Sequence, residues 1–241
     1  SKSEFLTVAA HQMRTPLSGI KWGLETLLSE GNENLTDIQK DLLKKNLEAT
    51  DKILRLANDL LDTVNIESGK FGYEFVQSDL LDLMSKLLED YLSIAEQYDI
   101  KIYLEPPADG IPPFKFDPMR IRIVVQNLLE NALRYNVKNG QIIIKVEKKS
   151  PYVEVSISDT GIGIPKNELP KLFTKFYRGS NILKYETEGT GLGLYITKNI
   201  VEAHGGKIWA ESIENRGTTI HFTLPMDEKL IPKRYIASSP F

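Results

Sequence analysis

Two long stretches at the start of the chain place apolar or small residues every three or four positions. This spacing predicts two helices that pack along one side. The first helix should run from about Lys2 to Ser29 and end before Gly31, which suits a C-terminal cap. The second should begin at a capping-box pattern formed by Thr36 and Gln39. The seam of the first helix consists of Leu6, Ala10, Met13, Leu17, Ile20, Leu24 and Leu27.

The second helix, which should end near Ser68, carries two adjacent apolar seams. A surface this wide exceeds what one partner helix covers in a simple hairpin. We therefore expect two hairpins to pair into a dimeric four-helix bundle. The alternative is that this helix covers a downstream domain, because periodicity indicates burial without identifying the partner. One seam is Leu43, Leu47, Leu54, Ala57, Leu61 and Val64, and the other is Leu42, Ala49, Ile53, Leu56 and Leu60.

Beyond Gly69 the pattern changes to short alternating strands mixed with amphipathic helices. Asp79 and Asp117 precede helical patterns that they can cap, and Pro118 suits a first helical position. This order predicts an α+β chain in which the helical hairpin is followed by an α/β sandwich with a mixed sheet. We expect domains at 1–69 and 70–226 and a tail of unknown role at 227–241. The expected strands are 73–76, 100–104, 114–116, 142–146, 153–157 and a hairpin over 207–224 that turns at 215–217, and the expected helices begin at 80, 118 and 193.

The composition of the chain narrows its chemistry. Of 241 residues, 41% are hydrophobic, which is enough for one large core or two smaller ones. A formal net charge of -3 provides no basic surface for nucleic acid. The lack of cysteine excludes disulfides and thiolate metal sites and suits a reducing cytoplasm. No apolar run reaches the roughly 20 residues that span a bilayer. We expect a cytoplasmic location, whether the protein is free or is the cytoplasmic portion of a membrane-bound sensor whose sensing part lies upstream.

His11 lies one position off the seam of the first helix, on its more polar flank. Its imidazole should therefore reach solvent. Pro16 has no amide hydrogen and crowds the carbonyl of Gln12, so the helix should bend one residue past the histidine. An exposed imidazole beside a bend is a candidate nucleophile, although a lone surface histidine is more often an ordinary solvated residue.

Two glycine-rich segments indicate a nucleotide site in the second half of the chain. Asp159 ends a strand pattern and its carboxylate can accept a hydrogen bond from an exocyclic amine. Gly161 and Gly163 follow it and allow the backbone to approach a ligand closely. The second segment, 189–194, opens a helix whose first amides attract phosphate. It matches neither the Rossmann fingerprint nor the P-loop.

The helix that begins at Pro118 carries four polar side chains on neighbouring positions of one face: Asn127, Asn131, Arg134 and Tyr135. Asparagine oxygens can bind a magnesium ion that bridges phosphates, and Arg134 can neutralise phosphate charge. Between the glycine segments, the aromatic stretch 172–178 predicts the anchor of a mobile lid that continues to Glu188. The alternative is that its phenylalanines belong to the core under a long surface loop.

The segment from His11 to Leu17, His-Gln-Met-Arg-Thr-Pro-Leu, resembles the phosphoacceptor box of sensor histidine kinases of two-component systems. Segments beginning at Asn127, Asp159, Phe173 and Gly189 resemble the N, G1, F and G2 boxes of the same family. The resemblance covers residues 1 to 226. It implies the ATP-binding fold that these kinases share with gyrase-type and Hsp90-type ATPases. It also implies Mg²⁺ as cofactor, a homodimer, and the receiver domain of a response regulator as partner.

By this resemblance, His11 accepts the phosphoryl group of ATP and passes it to an aspartate of the regulator. Asp159 reads the adenine amino group, Asn131 ligates magnesium and Tyr135 packs on the nucleotide. Thr15 stands at the position that the family uses to dephosphorylate the regulator. The implied catalytic set is His11, Gln12, Arg14 and Thr15. The implied nucleotide-binding set is Asn127, Asn131, Arg134, Tyr135, Asp159, Gly161, Gly163, Ile164, Phe173, Tyr177, Arg178, Gly189, Thr190, Gly191, Leu192 and Gly193.

Three positions bear on the choice between functions. Gln12 stands where the family usually has an acidic residue, and glutamine is a very poor base. This departure leaves open a nucleotide-responsive module that binds the regulator, or dephosphorylates it, with little autokinase activity. Asn127 stands where the ATPase relatives have the glutamate that activates water, which favours transfer to a protein over hydrolysis. Arg134 replaces the usual lysine, keeping the charge but changing its geometry.

Overall fold

The computed structural model describes residues 2–29, 34–179 and 189–233, with side chains from Gln12 onward. The chain divides into two compact units, residues 1–71 and 72–241. Unit 1 contains helix α1 (Lys2–Ser29) and helix α2 (Asp37–Glu67), which pack against each other. α1 continues through Pro16, whose ring nitrogen cannot donate to the carbonyl of Gln12.

The ends and contacts of this hairpin follow from local chemistry. The capping box at the start of α2 is confirmed, because Gln39 N donates to Thr36 Oγ1 at 3.3 Å and Thr36 N donates to Gln39 Oε1 at 2.8 Å. Between the helices, Lys21 Nζ lies 2.7 Å from a carboxylate oxygen of Asp51. This ion pair is partly exposed, so we assign it to helix register more than to stability.

One part of the apolar surface of unit 1 is left in solvent. Ala57, Leu61 and Val64 of α2 are buried. A second set, which we call the apolar stripe, is between 42% and 54% exposed in the single chain. Exposed apolar surface of this kind is typical of a protein interface. The apolar stripe consists of Met13, Ile20 and Leu27 of α1 and Leu42, Ile53 and Leu56 of α2.

Unit 2 combines helices with a mixed sheet, as expected for an α+β chain. Asp79 and Asp117 cap their helices as predicted, since their carboxylates accept backbone N–H groups of the first turn. Its elements are β1 (Val76–Ser78), α3 (Leu80–Gln97), β2 (Lys101–Glu105), β3 (Phe114–Phe116), α4 (Pro118–Arg134), β4 (Gln141–Lys149), β5 (Tyr152–Asp159), α5 (Gly193–Ala203), β6 (Ile208–Ile213) and β7 (Gly217–Pro225).

Five strands of the described ranges form one sheet in the order β2-β4-β5-β7-β6. β2 runs parallel to β4 and the other neighbours are antiparallel, so the sheet is mixed. Alternate residues of β4 and β5 are buried on the face where α3, α4 and α5 pack. They are Ile142, Ile144, Val146, Val153, Val155 and Ile157.

The strand predicted at 73–76 is wrong, because the strand begins only at Val76 and pairs with β3. The amide of Glu74 is instead used by a cap: it donates to Asp117 Oδ2 at 2.7 Å. The aromatic pattern of this segment also has another role, since the ring of Phe75 lies 4.9 Å from the ring of His204. Alternation alone could not distinguish this anchoring segment from a strand.

His204 links the N-terminal end of α4 to the C-terminal end of α5. Its Nδ1 donates to the carbonyl of Ile200 at 2.8 Å, and its Nε2 accepts from the backbone N–H of Asp117 at 3.0 Å. Burial lowers the pKa of the imidazole to about 4, so this histidine is neutral near pH 7. The two helices that carry the predicted nucleotide residues are thus joined through a buried polar contact.

None of the helices in the described ranges combines the length and apolar character needed to cross a membrane. The tail predicted from residue 227 begins with a short 3₁₀ turn, Glu228–Leu230, and Glu228 forms a 2.6 Å ion pair with Lys115 of β3. Ile231 is buried. The first part of the tail therefore packs on unit 2.

Candidate nucleotide and phosphoacceptor sites

The candidate phosphoacceptor lies in α1. His11 belongs to the helical backbone of unit 1, and Thr15 follows one turn later on the same face. The side chains of Gln12 and Thr15 are exposed. Arg14, which the sequence placed in the catalytic set, donates from Nε to Asn58 Oδ1 of α2 at 2.9 Å. In this structure Arg14 therefore contributes to helix packing.

Asp159, the last residue of β5, is the strongest candidate for recognising a base. Its Oδ1 accepts the backbone N–H groups of Gly161 at 2.8 Å and of Thr218 at 3.2 Å. Burial raises the pKa of this carboxyl from 3.8 to about 6, and the two hydrogen bonds only partly oppose the effect. Among the described residues both hydrogen bonds end on Oδ1, which leaves Oδ2 to accept from an amine.

The loop after Asp159 needs its glycines for steric reasons. A side chain at Gly161 would collide with the carbonyl oxygen of Tyr135, which also accepts the N–H of Ile162 at 3.0 Å. Gly163 has a φ of 66°, and a Cβ there would collide with the carbonyl of Ile213. Ile164 N donates to a serine of β6, Ser212, at 2.8 Å. The loop is therefore fixed between the end of α4 and the β6–β7 hairpin.

The polar face of α4 serves more than one purpose. Asn127 donates from Nδ2 to the carbonyl of Gly193 at 3.2 Å, so it contacts the first turn of α5. Asn131, one turn later, is partly buried and is the residue for which magnesium ligation was predicted. Glu130 turns towards α3 and accepts from the hydroxyl of Tyr91 at 3.1 Å. The one carboxylate of this segment of α4 is thus held away from Asn127 and Asn131.

Two guanidinium groups converge on the second glycine cluster. A methyl group placed on Gly189 would lie 3.6 Å from Arg134 Nη1, 3.8 Å from Arg178 Nε and 3.8 Å from the hydroxyl of Tyr135. The end of α4, the aromatic segment and residue 189 therefore meet at one point. Planar cations of this kind match the geometry and charge of phosphate groups. We call this arrangement the guanidinium cluster.

The glycine cluster also contacts the aromatic segment directly. Gly191 has a φ of 67°, and its carbonyl accepts the N–H of Phe176 at 2.9 Å. A Cβ at Gly191 would lie 2.7 Å from the carbonyl carbon of Phe176. Thr190 Oγ1 accepts the N–H of Leu192 at 3.1 Å, while Leu192 makes no side-chain cap for α5. Among the described residues, the first turn of α5 thus keeps backbone N–H groups available for a ligand.

Within the aromatic segment, two side chains differ from the prediction of a uniform cover over a nucleotide. The hydroxyl of Tyr177 is hydrogen-bonded to Glu168, and partial burial together with this bond raises its pKa. Phe176 is 65% exposed, so it does not belong to the core, whereas Phe173 is partly buried. Lys175 Nζ lies 5.0 Å from the centre of the Tyr195 ring of α5. Residues 180–188, which complete the predicted lid, lie outside the described residues.

The described protein side chains do not form a complete magnesium site, so a magnesium ion would need further ligands from a bound nucleotide. No group of three histidine, aspartate or glutamate side chains that could hold a metal occurs in the described ranges. The amide oxygen of Asn131 is a suitable hard ligand, and phosphate oxygens and water would supply the others. Such a site is typical of magnesium that enters together with a nucleotide.

Sequence reasoning missed the groups that arrive from distant strands. Thr218 reaches Asp159 because β7 pairs with β5, with Thr219 opposite Ser158. Ser212 on β6 reaches Ile164 in the same way. Only the expected closing hairpin offered a signal for either contact, and the sequence did not fix its register against β5.

Comparisons with known proteins match both units of the chain. Residues 1–69 match the family model for the His Kinase A phospho-acceptor domain. Residues 116–228 match the model described as histidine kinase-, DNA gyrase B- and HSP90-like ATPase. The chain is 37% identical to the sensor histidine kinase WalK of Bacillus subtilis over 95% of its own length, but it spans only 37% of that relative.

Solved structures give the same picture. The catalytic domain of the histidine kinase ThkA is 32% identical, with a TM-score of 0.58, and covers 65% of this chain and 99% of its own. The full-length histidine kinase ShkA, solved in complex with AMPPNP, is 25% identical with a TM-score of 0.73. That match covers 92% of this chain and 45% of ShkA.

Proposed function

Because this chain belongs to the histidine kinase family, we propose that it forms the catalytic core of a sensor kinase that phosphorylates His11 from Mg-ATP. The phosphoryl group would then pass to an aspartate in the receiver domain of a response regulator. The observation that carries this proposal is the guanidinium cluster at the start of α5, in the same unit as Asp159. Together these residues offer one group for an adenine amine and two cations for the phosphates.

The chain's own residues suggest how the nucleotide is bound. Asp159 Oδ2 would accept from the adenine amino group, while the glycines after it let the base approach the backbone. Arg134, Arg178 and the amides of the first turn of α5 would hold the phosphates. Asn131 would hold the magnesium ion, which neutralises phosphate charge when it is bound.

Phosphoryl transfer would use the imidazole of His11. A lone pair of one ring nitrogen attacks the γ-phosphorus, the bond to the bridging oxygen breaks, and ADP leaves with that electron pair. The other ring nitrogen carries the imidazole proton and would release it to solvent, because Gln12 cannot accept it at neutral pH.

The structure also supports transfer over hydrolysis. An ATPase of this fold would need a base near the magnesium ligand on α4. Asn127 occupies that position with its amide turned to Gly193, and the carboxylate of Glu130 is held by Tyr91 of α3. Neither residue is placed to activate water beside Asn131.

A labelling experiment tests the proposed function. The protein is incubated with Mg²⁺ and ATP labelled on the γ-phosphate, and the labelled protein is then treated with acid and with base. We expect label that acid removes and base does not, which is the behaviour of phosphohistidine. Steady release of phosphate with no labelled protein would instead indicate an ATP-hydrolysing clamp.

Gln12 supports one second candidate function. It is exposed and has no basic character, so autophosphorylation could be slow enough to make regulator binding or dephosphorylation the main activity. In that case the protein would bind nucleotide, remain unlabelled in the same experiment, and still remove phosphate from a phosphorylated receiver domain.

Thr15 is the residue we propose for that phosphatase activity. Its exposed hydroxyl lies one turn beyond His11 on the same face of α1, where it could orient a water towards a regulator's phosphoaspartate. We predict that Thr15→Ala lowers phosphatase activity at least about tenfold while autophosphorylation changes less than about threefold. Both rates can be measured on one preparation, and equal loss of both would rule out this assignment.

We further propose that the apolar stripe of unit 1 is the contact surface of a homodimer. Its residues repeat near heptad spacing and stay about half-exposed in the single chain. Two hairpins that join these faces would make a four-helix bundle. The proposal places dimerisation in unit 1 and the proposed receiver-binding surface beside His11.

A charge in the apolar stripe should therefore break the dimer. Leu56→Glu buries an unpaired carboxylate in the proposed interface, and we predict at least a hundredfold weaker dimer by analytical ultracentrifugation. Tyr98→Glu is the matched control, because Tyr98 is an exposed apolar residue of unit 2. If Leu56→Glu sediments as the wild type does, the stripe is not the dimer interface.

A further inference from the structure

The contact between Asn127 and α5 gives this residue a role different from ligand binding. Its Nδ2 donates to the carbonyl oxygen of Gly193 at 3.2 Å and to Oγ1 of Thr197 at 3.4 Å. Thr197 is fully buried, so the amide of Asn127 lies at the edge of the interface between α4 and α5. Asn131, one turn further along α4, makes no such contact among the described hydrogen bonds.

Asn127 holds the carbonyl of Gly193, which belongs to the same peptide group as the backbone N–H of Leu194. A peptide group is planar and trans, so the Gly193 carbonyl and the Leu194 N–H point in opposite directions. In a helix the carbonyl points towards the C-terminus and the N–H towards the N-terminus. The N–H of Leu194 therefore points out of the first turn of α5, where no intrahelical acceptor exists.

The first turn of α5 is anchored by the buried Leu192 side chain and by the Phe176 N–H that the Gly191 carbonyl accepts, but neither contact holds the Gly193 peptide group. Leu192 precedes the helix without a side-chain cap, and Gly189 and Gly191 both have positive φ angles. Glycines in this conformation leave a loop with many alternatives when no ligand is bound. An external hydrogen bond to the first peptide group restricts that freedom.

We propose that Asn127 is a positioning residue, which aims the Leu194 N–H at the nucleotide phosphates by holding the carbonyl of the same peptide group. This inference rests on the proposed function in one respect, namely that the ligand is a nucleotide with its phosphates at the guanidinium cluster. Asn127 then acts on phosphate binding through α5 and not as a magnesium ligand. Its effect is therefore independent of the metal.

Independence from the metal is directly measurable. ADP binding is titrated calorimetrically for wild type, Asn127→Ala and Asn131→Ala, each with Mg²⁺ and again in EDTA. Without Asn127 the Leu194 N–H is no longer aimed at the charged phosphate, and losing that hydrogen bond predicts roughly tenfold to 150-fold weaker ADP binding by Asn127→Ala in both conditions. Asn131→Ala should weaken binding only when Mg²⁺ is present.

Two further variants separate aiming from a general loss of structure. Asn199→Ala is the matched control, because Asn199 donates to Tyr195 within α5, and its ADP affinity should stay within about twofold of wild type. Thr197→Val removes the second acceptor of Asn127. It should weaken ADP binding in the wild-type background but add nothing to Asn127→Ala, as expected for coupled residues.

The outcomes are distinct. A loss by Asn127→Ala confined to Mg²⁺ would make Asn127 a metal ligand, and no loss in either condition would remove its role in binding; both results overturn the proposal. In nitrogen-15 spectra, the Leu194 amide should shift with ADP in wild type and lose that response in Asn127→Ala. If wild type binds no ADP at all, it is the proposed function that fails.

Discussion

Replacing His11 with glutamine is expected to abolish the acid-labile phosphoprotein, a loss of roughly a thousandfold or more because the nucleophile itself is removed. ADP affinity should stay within about twofold of wild type, since all the described nucleotide residues belong to the other unit. The measurement combines label incorporation with calorimetric titration of ADP. A variant that still incorporates acid-labile label would show that another residue is phosphorylated.

The other two histidines provide the control for this experiment. His204 is buried with both ring nitrogens hydrogen-bonded, so it cannot reach a phosphoryl group. His221 lies on the outer face of the sheet, where its Nδ1 is 3.3 Å from Glu154 and its ring stacks on Trp209. His221→Gln makes the same chemical change away from α1, and it should leave label incorporation intact.

Gln12→Glu extends the same experiment to the departure from the family pattern. A carboxylate next to His11 could orient the imidazole and take its proton, an effect typically worth about a hundredfold or more. Faster labelling than wild type would show that Gln12 limits the autokinase reaction. An unchanged rate would show that proton transfer is not limiting.

The fold was predictable where a local signal decided the structure. The capping box at Thr36 and the carboxylate caps at Asp79 and Asp117 each satisfy backbone N–H groups within three residues, so the sequence contains both partners. The strand prediction for 73–76 failed because residues of this alternating segment contact residues far along the chain. Glu74 bonds to Asp117, 43 residues away, and Phe75 packs on His204.

The candidate site was likewise predictable from the sequence only in part. Motif spacing indicated which side chains share a face of α4, but it could not show that Asn127 reaches α5 while Glu130 is held by α3. These directions depend on how three helices pack on the sheet. Likewise, the hydrogen bond of Tyr177 to Glu168 shows that its hydroxyl has a protein partner, which no motif indicates.

Replacing Asp159 gives the second large expected effect. The sequence pattern identified this residue, and its tertiary hydrogen bonds determine which carboxylate oxygen can face the adenine. With Oδ1 bound to the Gly161 and Thr218 amides, Asp159→Asn would turn its Nδ2 towards the adenine amino group. Two donors would then face each other, and we predict at least about a hundredfold weaker ADP binding at pH 7.5. Asp79→Asn, which also keeps an acceptor for two backbone amides, should bind ADP as wild type does.

The same substitution should stabilise the fold, with a dependence on pH whose sign follows from the pKa. The folded carboxyl titrates at about 6 and its ordinary value is 3.8. Folding therefore favours the protonated form: this stabilisation is complete below pH 3.8 and is lost as the pH rises through about 6. Above that pH the buried charge destabilises wild type by as much as about 3 kcal/mol, which Asp159→Asn removes.

His204 also contributes to the pH dependence of the unfolding free energy, and its contribution has the opposite sign to that of Asp159. Its folded pKa of about 4 lies below its ordinary value of 6.5, so wild type loses stability as the pH falls through this window. Between pH 4 and 6 the two groups oppose each other in wild type. In Asp159→Asn, of these two contributions only that of His204 remains. The unfolding free energy of the variant, measured by urea titration, should therefore rise more steeply with pH than that of wild type. Parallel pH profiles for the two proteins would show that Asp159 is already ionised at pH 4 in the fold.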